Sequence, residues 1–238
     1  MMIESYLFFI IFVPIIIAGY FILMYLDEEK YKYTQYILIS AILLFGHIIL
    51  PYFNVGIFPH LTYDFLFYAL LFASGMIFSI LFIKYIKKRT FKEIGWDSSN
   101  ILKDIIIGFF FGLLLLIIAA LLTALSQDLA LDQISFSSEK IITVIFFAAG
   151  AIYEEILFRG AMQKDLEQKY SIKKAIIIQG LAFFAINLFY FPFDIGGIIS
   201  YGIMLFLSFL MGILAYKYSL YCSTTAHVIF VLLAGLLI

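Results

Sequence analysis

Apolar runs of about 20 residues, the length that crosses a bilayer, follow one another along this chain and constrain its fold more than any other feature. Eight runs qualify, approximately at residues 5–25, 35–53, 63–84, 101–125, 141–162, 174–190, 197–216 and 219–238. Backbone polar groups find no water inside a bilayer, and the runs are too long for barrel strands. The sequence therefore predicts an all-α, polytopic transmembrane bundle of about eight helices.

The composition agrees with a membrane protein. Hydrophobic residues make up 65% of the chain and charged residues 13%, against about 45–50% and about 25% in an average soluble domain. A chain of 238 residues with this excess cannot hide its apolar surface in one aqueous core. The charges, 15 basic and 16 acidic, are nearly balanced, so no nucleic-acid partner is expected. We predict a multi-pass protein of the cell membrane, with the lipid bilayer as its surroundings.

Positive charges predict which side of the membrane each loop faces. When the eight runs are drawn as alternating spans, every Lys and Arg except Lys140 falls on the same side. Cytoplasmic loops collect these residues. That side is therefore predicted to be the cytoplasm, and both termini are predicted to lie outside.

The segment 87–100 mixes cations with Phe91, Ile94 and Trp96. This pattern is typical of an amphipathic piece at the lipid headgroups, and a charged loop that anchors the topology is the alternative. Asn100 or one of the serines before it is expected to cap the fourth span.

Two adjacent carboxylates lie inside the fifth apolar run, in the stretch YEEILFRG at 153–160. An ionisable group inside a bilayer is costly, so each needs a partner or a function. Glu155 and Arg159 are four residues apart and meet on one helix face, whereas Glu154 is rotated by about 100°. We expect Arg159 to hold one acid while the other points into a cavity with His227. A Glu–Arg pair that only fixes helix packing is the alternative.

Two intramembrane histidines have different expected roles. His227 lies about eight residues into the last run, and Glu155 lies equally far from the cytoplasmic end of its own run; at 1.5 Å per residue both are about 12 Å deep. The two are therefore expected to face each other across a cavity open to the cytoplasm. His47 has no assignable partner and is expected to be structural. Gly108 and Gly112 form a G-x-x-x-G, which favours close contact with another helix.

The polar residues resemble the motifs of a family, the CAAX-protease and bacteriocin-processing membrane proteins, also called the CPBP or Abi family. EEILFRG matches the family's E-E-x-x-x-R, and FFAIN at 183–187 falls where the family has F-x-x-x-H, with Phe183 matching. The segment GILAYKYSLYCSTTAHVIFVLL at 212–233 is similar to the closing segment that leads to a histidine, here His227. The resemblance divides the chain into three N-terminal helices (1–88) and a protease-like core (89–238).

The resemblance implies an intramembrane endopeptidase in which a glutamate and two histidines prepare a water. Peptide hydrolysis needs a base for the water, an acid for the leaving amine and donors for the oxyanion. A glutamate in a desolvated pocket suits the role of base, and the histidine of the closing segment can hold the water or stabilise the developing charge. The candidate catalytic residues are Glu154, Glu155, Asn187 and His227, with Arg159 and Phe183 in support.

Two positions depart from the family pattern. The motif histidine is replaced by Asn187, and the residue four after the last histidine, commonly Asn or Asp, is Val231. An amide keeps a donor and an acceptor but cannot shuttle a proton. Counted from residue 174, Asn187 would also lie about 20 Å deep, deeper than Glu155. Either the sixth span tilts or starts later, or Asn187 stands outside the site.

The same substitutions bear on cofactor and function class. A catalytic zinc usually has three protein ligands, for example His₂Glu, and the site offers a single histidine, so zinc is disfavoured and no cofactor is expected. The first hypothesis is a protease that cuts a membrane-tethered or prenylated peptide from the cytoplasmic side. The second is a protease-like scaffold that binds a membrane partner without cutting it. A third hypothesis is a transporter with a proton-linked carboxylate pair. The sequence lacks the internal repeat and the broken helices that are expected of such a transporter.

Overall fold

In the computed structural model the described residues are Ala18, Gly19, Ile22, 34–38, Ala73, 75–126, 138–188 and 195–237. Every regular element among them is a helix, which confirms the predicted all-α class. The first two predicted spans lie largely outside the described residues, and so do half of the third and His47. The count of eight spans and the side on which the termini lie therefore stay predictions.

The long helices of the described residues follow the predicted apolar runs. They are α1 (Gly75–Ile86), α2 (Ile101–Ser126), α3 (Ser138–Glu155), α4 (Ile172–Ile186), α5 (Ile195–Lys217) and α6 (Leu220–Leu237). The helix of α3 runs on without a break through the π-helical segment Ile156–Gln163 and a final turn, Lys164–Glu167. These last two segments are called the α3 extension.

Three stretches of the described helices are long and apolar enough to cross a membrane. They are Ile101–Leu122, Lys140–Glu167 and Gly196–Lys217. The apolar helices Gly75–Ile86 and Leu220–Leu236 are shorter. Helix α4 has only 15 residues, fewer than the roughly 20 that a full span requires.

The sixth predicted span, 174–190, extends too far at its C-terminal end. Helix α4 stops at Ile186, and Asn187 leaves helical geometry at φ −100° and ψ 1°. Its side-chain Nδ2 donates a hydrogen bond to the carbonyl of Phe183 at 2.9 Å. A short amide side chain that competes for backbone carbonyls favours a helix end over a helix interior.

Helix α6, which bears His227, packs against α2, α3 and α5. The approach of α2 depends on its two glycines. A Cβ atom at Gly108 would collide with the carbonyl oxygen of Cys222, and one at Gly112 would lie 2.8 Å from the carbonyl oxygen of Ala226. The close helix contact predicted from G-x-x-x-G is confirmed.

The segment before α2 packs on the start of α6. The ring of Trp96 stacks between Phe91 and Tyr221, with centroid distances of 5.4 and 5.9 Å. Gly95 has a φ of 98°, a value that favours glycine, and its carbonyl accepts the N–H of Leu220 at 3.0 Å. The predicted headgroup segment is therefore a turn held against the bundle by its aromatic residues.

Local hydrogen bonds fix both ends of this segment. Asn100 Oδ1 accepts the N–H of Lys103 at 3.1 Å, so Asn100 caps α2 as predicted. At the other end, the carboxylate of Glu93 accepts the N–H and the hydroxyl of Thr90 at 2.6 and 2.9 Å. These hydrogen bonds, of which the backbone bond has the larger effect, lower the pKa of Glu93 below its usual value.

A buried charge cluster fastens residues 82–89 to the α3 extension. Asp165 has a fully buried side chain whose Oδ2 lies 2.9 Å from the Lys87 Nζ and accepts the hydroxyl of Tyr36 at 2.6 Å. Arg89 pairs with the second oxygen of the same carboxylate. Lys87 is thus a buried partner of Asp165 and not a solvated cation of the predicted charged loop.

Candidate active site

Glu155 stands at the centre of a buried polar cluster formed by α3 and α6. Its Oε1 lies 2.9 Å from His227 Nδ1 and 3.1 Å from Arg159 Nη1. The side chains of Glu155 and Arg159 are 0% exposed, and that of His227 is 5% exposed. The predicted pairing of Glu155 with Arg159 is confirmed. Glu155 also meets His227, but in direct contact and not across the predicted cavity.

The contacts of Glu154 and Glu155 differ from the prediction that one acid pairs with Arg159 and the other with His227. His227 was expected to face the acid that Arg159 does not hold, yet both contact Glu155. The reason is that one carboxylate oxygen has several lone-pair sites and can meet two cationic or N–H groups from different helices. Glu154 is half-buried and interacts electrostatically with Arg159.

The guanidinium of Arg159 is fixed from three sides. Its Nη2 donates to the backbone carbonyl of Ser208 in α5 at 3.0 Å. Its Cζ lies 4.3 Å from the centre of the Phe183 ring in α4, a distance at which a cation is attracted to the face of an aromatic ring. Its Nη1 forms the ion pair with Glu155. Arg159 therefore joins three helices at the level of the cluster.

Phe183 contacts both partners of Glu155. Its ring packs edge-to-face on His227 with a centroid distance of 5.8 Å, and in the same way on Phe158 at 5.3 Å. The supporting role that was predicted for Phe183 agrees with these contacts. Phe183 shapes the wall against which both Arg159 and the imidazole are held.

Asn187 lies one helical turn beyond Phe183, at the end of α4. Its amide donates to the Phe183 carbonyl, and within the described part of the chain it makes no hydrogen bond to Glu155, Arg159 or His227. The structure thus brings Glu155, Arg159, Phe183 and His227 together and leaves Asn187 outside their hydrogen bonds. A catalytic role for Asn187 stays a prediction.

Two backbone carbonyls and two glutamines near Arg159 were not foreseen from the sequence. The Ser208 carbonyl also accepts Nε2 of Gln179 at 3.3 Å, and Gln163 donates to the carbonyl of Gly212 at 3.1 Å. A backbone carbonyl leaves no trace in a sequence. Gln163, however, follows Arg159 by four residues, so its place on the same helix face could have been read from spacing.

Comparison with known proteins agrees with the motif resemblance. Residues 136–233 match the family model described as type II CAAX prenyl endopeptidase Rce1-like. Because of this similarity, residues 136–233 are called the Rce1-like segment below. It contains α3 with its extension, α4, α5 and most of α6, and with them Glu154, Glu155, Arg159, Phe183 and His227. No curated protein and no solved structure matches the chain.

The geometry of the Rce1-like segment defines which atoms can take part in proton transfer. An ionised Glu155 accepts the Nδ1–H of His227, so the lone pair of the imidazole is then on Nε2. Within the described residues Nε2 makes no hydrogen bond. The imidazole can therefore accept a hydrogen bond from a further molecule while Glu155 and Arg159 keep its orientation fixed.

The donor set of the Rce1-like site does not fit a catalytic zinc. Such a site takes three protein ligands from His, Glu, Asp or Cys, and among the described residues no three of these side chains come together. The Glu155 oxygen that faces His227 is also shared with the cation of Arg159, whose positive charge opposes a second cation at the same oxygen.

Proposed function

We propose that this protein is an intramembrane endopeptidase of the cell membrane that cuts a membrane-tethered or prenylated peptide from the cytoplasmic side. The observation that carries the proposal is the buried Glu155–Arg159–His227 cluster inside an Rce1-like segment. An apolar helix bundle tolerates such a costly set of buried charges where the set has a function. The proposal includes a multi-pass topology.

The two glutamates receive different roles in this mechanism. Glu155 is a positioning residue, because its carboxylate is fully buried and engaged by Arg159 and His227. Glu154 is the more accessible of the two acids, and a general base must reach the water that it activates. In this mechanism Glu154 is the general base, and Nε2 of His227 orients the water.

The proton balance of the reaction needs no metal. Glu154 takes a proton from the water as the water oxygen bonds to the substrate carbonyl carbon, and the electrons of the C=O double bond move to the carbonyl oxygen, which becomes the oxyanion. When this intermediate collapses, the C–N bond breaks and Glu154 returns the proton to the leaving amine. Glu154 therefore acts first as base and then as acid, while Glu155 and the imidazole position the water; oxyanion donors are needed in addition.

A protease-like scaffold is the second candidate. It is favoured by one observation, that the residue in place of the motif histidine, Asn187, is hydrogen-bonded within its own helix. An amide held in this way can neither move a proton nor approach His227 without breaking that bond. In this case the Rce1-like segment binds a membrane partner and leaves it intact.

Turnover of quenched peptides by the purified full-length protein in proteoliposomes separates the two candidates. The panel contains a farnesylated peptide and unmodified membrane peptides, and the variants are Glu154→Gln and the matched control Glu93→Gln. We expect the wild type and Glu93→Gln to cut at least one peptide. Glu154→Gln should lose about 10²–10⁴-fold in kcat, the usual contribution of a general base.

Two results would decide against the protease. One is a wild-type protein that is folded and cuts no peptide of the panel but captures a membrane protein with high affinity, which identifies the scaffold. The other is turnover that survives Glu154→Gln unchanged, which removes glutamate dependence from the mechanism. If the protein cuts the farnesylated peptide and none of the unmodified peptides, it requires a prenyl group on its substrate.

A further inference from the structure

A stripe of polar residues runs from the last residue of α3 along the α3 extension, at intervals of four. It consists of Glu155, Arg159, Gln163 and Glu167, here called the polar stripe. Residues four apart lie on one side of a helix, and this side faces α4 and α5, where Gln179 and the carbonyls of Ser208 and Gly212 meet it. The stripe begins at the proposed catalytic cluster and ends at the last turn of the extension.

Contacts between protein groups connect the stripe along its length. Arg159 Nη2 and Gln179 Nε2 share the carbonyl of Ser208, at 3.0 and 3.3 Å. Gln163 Nε2 donates to Glu167 Oε1 at 3.0 Å. Glu167 in turn pairs with Lys164 at 3.1 Å, and both of these side chains are partly exposed. One end of the stripe is therefore accessible, while its middle is fully buried.

Within the described part of the chain, most of the buried side-chain N and O atoms that lack a hydrogen-bond partner belong to the polar stripe and to Gln179. These atoms are Glu155 Oε2, Arg159 Nε and Nη1, Gln163 Oε1 and Gln179 Oε1. Gln163 and Gln179 are both 0% exposed. A buried polar group that no protein group satisfies is costly, and in folded proteins such groups are usually met by ordered water.

A glycine provides the room for these groups. A Cβ atom at Gly212 would lie 2.5 Å from Gln179 Nε2 and 3.0 Å from Gln163 Oε1. Any larger residue at this position would press on the ends of both glutamines. Because Gly212 in α5 has no side chain, the amide ends of Gln163 and Gln179 can both lie beside it.

We propose that the polar stripe binds a file of ordered water molecules that joins the exposed Lys164–Glu167 end of the extension to Glu155. The inference rests on the proposed peptidase function, since hydrolysis in an apolar bundle needs a route for water. Gln163 and Gln179 bind this water through their oxygens, and Arg159 through Nε. They act as positioning residues for the water and do not touch the substrate.

Radiolytic hydroxyl labelling with mass spectrometry detects buried water independently of peptide cleavage. The reporter is Phe183, which is buried but lies against Arg159, and the reference is Phe82, which is equally buried outside the stripe. We expect Phe183 to be oxidised several-fold faster than Phe82 in the wild type. Gln163→Leu should remove this difference, and the exposed control Gln168→Leu should leave it unchanged.

A second variant covers the case in which Gln163→Leu does not fold. Gly212→Ala keeps every polar group but presses on the ends of both glutamines, so it should lower both the oxidation of Phe183 and kcat without a matching change in KM. Oxidation of Phe183 no faster than that of Phe82 in the wild type would overturn the water file. Labelling that persists in both folded variants would overturn the assignment to Gln163 and Gly212.

The labelling of Phe183 and the turnover of peptides test the water file and the peptidase proposal separately. Fast labelling of Phe183 in a protein that cuts no peptide supports the water file and rejects the protease. Slow labelling in a protein that cuts peptides rejects the water file and keeps the protease. Measured together, the labelling rate and kcat assign each failure to one proposal.

Discussion

His227 Nδ1 lies 2.9 Å from Glu155 Oε1, so two residues that are 72 positions apart in the chain share a buried contact. The contact joins α6 to α3, and the same carboxylate oxygen faces Arg159. One acid thus fixes both a histidine ring and a guanidinium. This arrangement makes Glu155 the residue on which the geometry of the whole cluster depends.

Glu155→Gln is expected to lower both activity and stability, in contrast to Glu154→Gln. A neutral amide at 155 leaves Arg159 without its counter-charge, and removing one partner of a buried pair costs about 3–5 kcal/mol. Thermal unfolding in detergent measures this loss. Glu154→Gln should unfold close to the wild-type temperature while losing turnover. Equal melting temperatures for the two variants would reject the assignment of the structural role to Glu155.

Arg159→Met is expected to destabilise the protein strongly, because Glu155 then stays buried as an uncompensated charge, at a cost of about 3–5 kcal/mol. The double variant Glu155→Leu, Arg159→Met is expected to regain much of this stability, since an apolar pair removes both buried charges. The free energy of unfolding of the single and double variants tests this. A double variant no more stable than Arg159→Met would contradict the ion-pair explanation.

Asp165→Asn is expected to loosen the attachment of residues 82–89 to the α3 extension. The change removes the counter-charge of the buried Lys87 and of Arg89, and we expect a loss of about 3–5 kcal/mol. The control is Asp97→Asn, which breaks an exposed pair with Lys92 and should cost less than about 1 kcal/mol. Unfolding curves in detergent measure both. Similar losses in the two variants would show that burial does not set the strength of the cluster.

Gly112→Ala and Gly202→Ala are expected to change stability in opposite directions. A Cβ at Gly112 meets the backbone of Ala226 at 2.8 Å, and overpacking of this kind costs about 1–3 kcal/mol. At Gly202 a Cβ meets nothing within 4 Å, so alanine should stabilise the helix by about 0.4–1 kcal/mol. Paired melting temperatures check the sign. A stabilising Gly112→Ala would contradict the close packing of α2 on α6.

Local sequence patterns carried much of the fold and the centre of the site. Hydropathy located α2, α3, α5 and α6 because a bilayer demands long apolar helices. Spacing along one helix predicted the pair Glu155–Arg159, and matched depth predicted its meeting with His227. Each of these inferences needs only the geometry of a single helix or the thickness of a membrane.

The remaining features depend on how the helices pack, and no local pattern contains that information. The Ser208 carbonyl that holds Arg159 is a backbone atom and looks the same at every position. The sequence alone predicts that Lys87 is a solvated loop cation, and only the folded structure shows its contact with Asp165. The end of α4 at Asn187 is decided by a side-chain bond to the Phe183 carbonyl within an apolar run that continues past it.

Asn187→His tests whether the proposed site is held back by the residue that replaces the motif histidine. An imidazole one turn beyond Phe183 restores a group able to move a proton, and it removes the amide that binds the Phe183 carbonyl. We expect kcat for the peptide that the wild type cuts to rise by up to about 10²-fold, at the lower end of what a general acid or base contributes. Leu188→His places the same group at the next position and is expected to give no gain. Peptide turnover at constant protein concentration measures both variants. An unchanged kcat in a folded Asn187→His protein would mean that position 187 lies outside the catalytic geometry and that the cluster around Glu155 works without it.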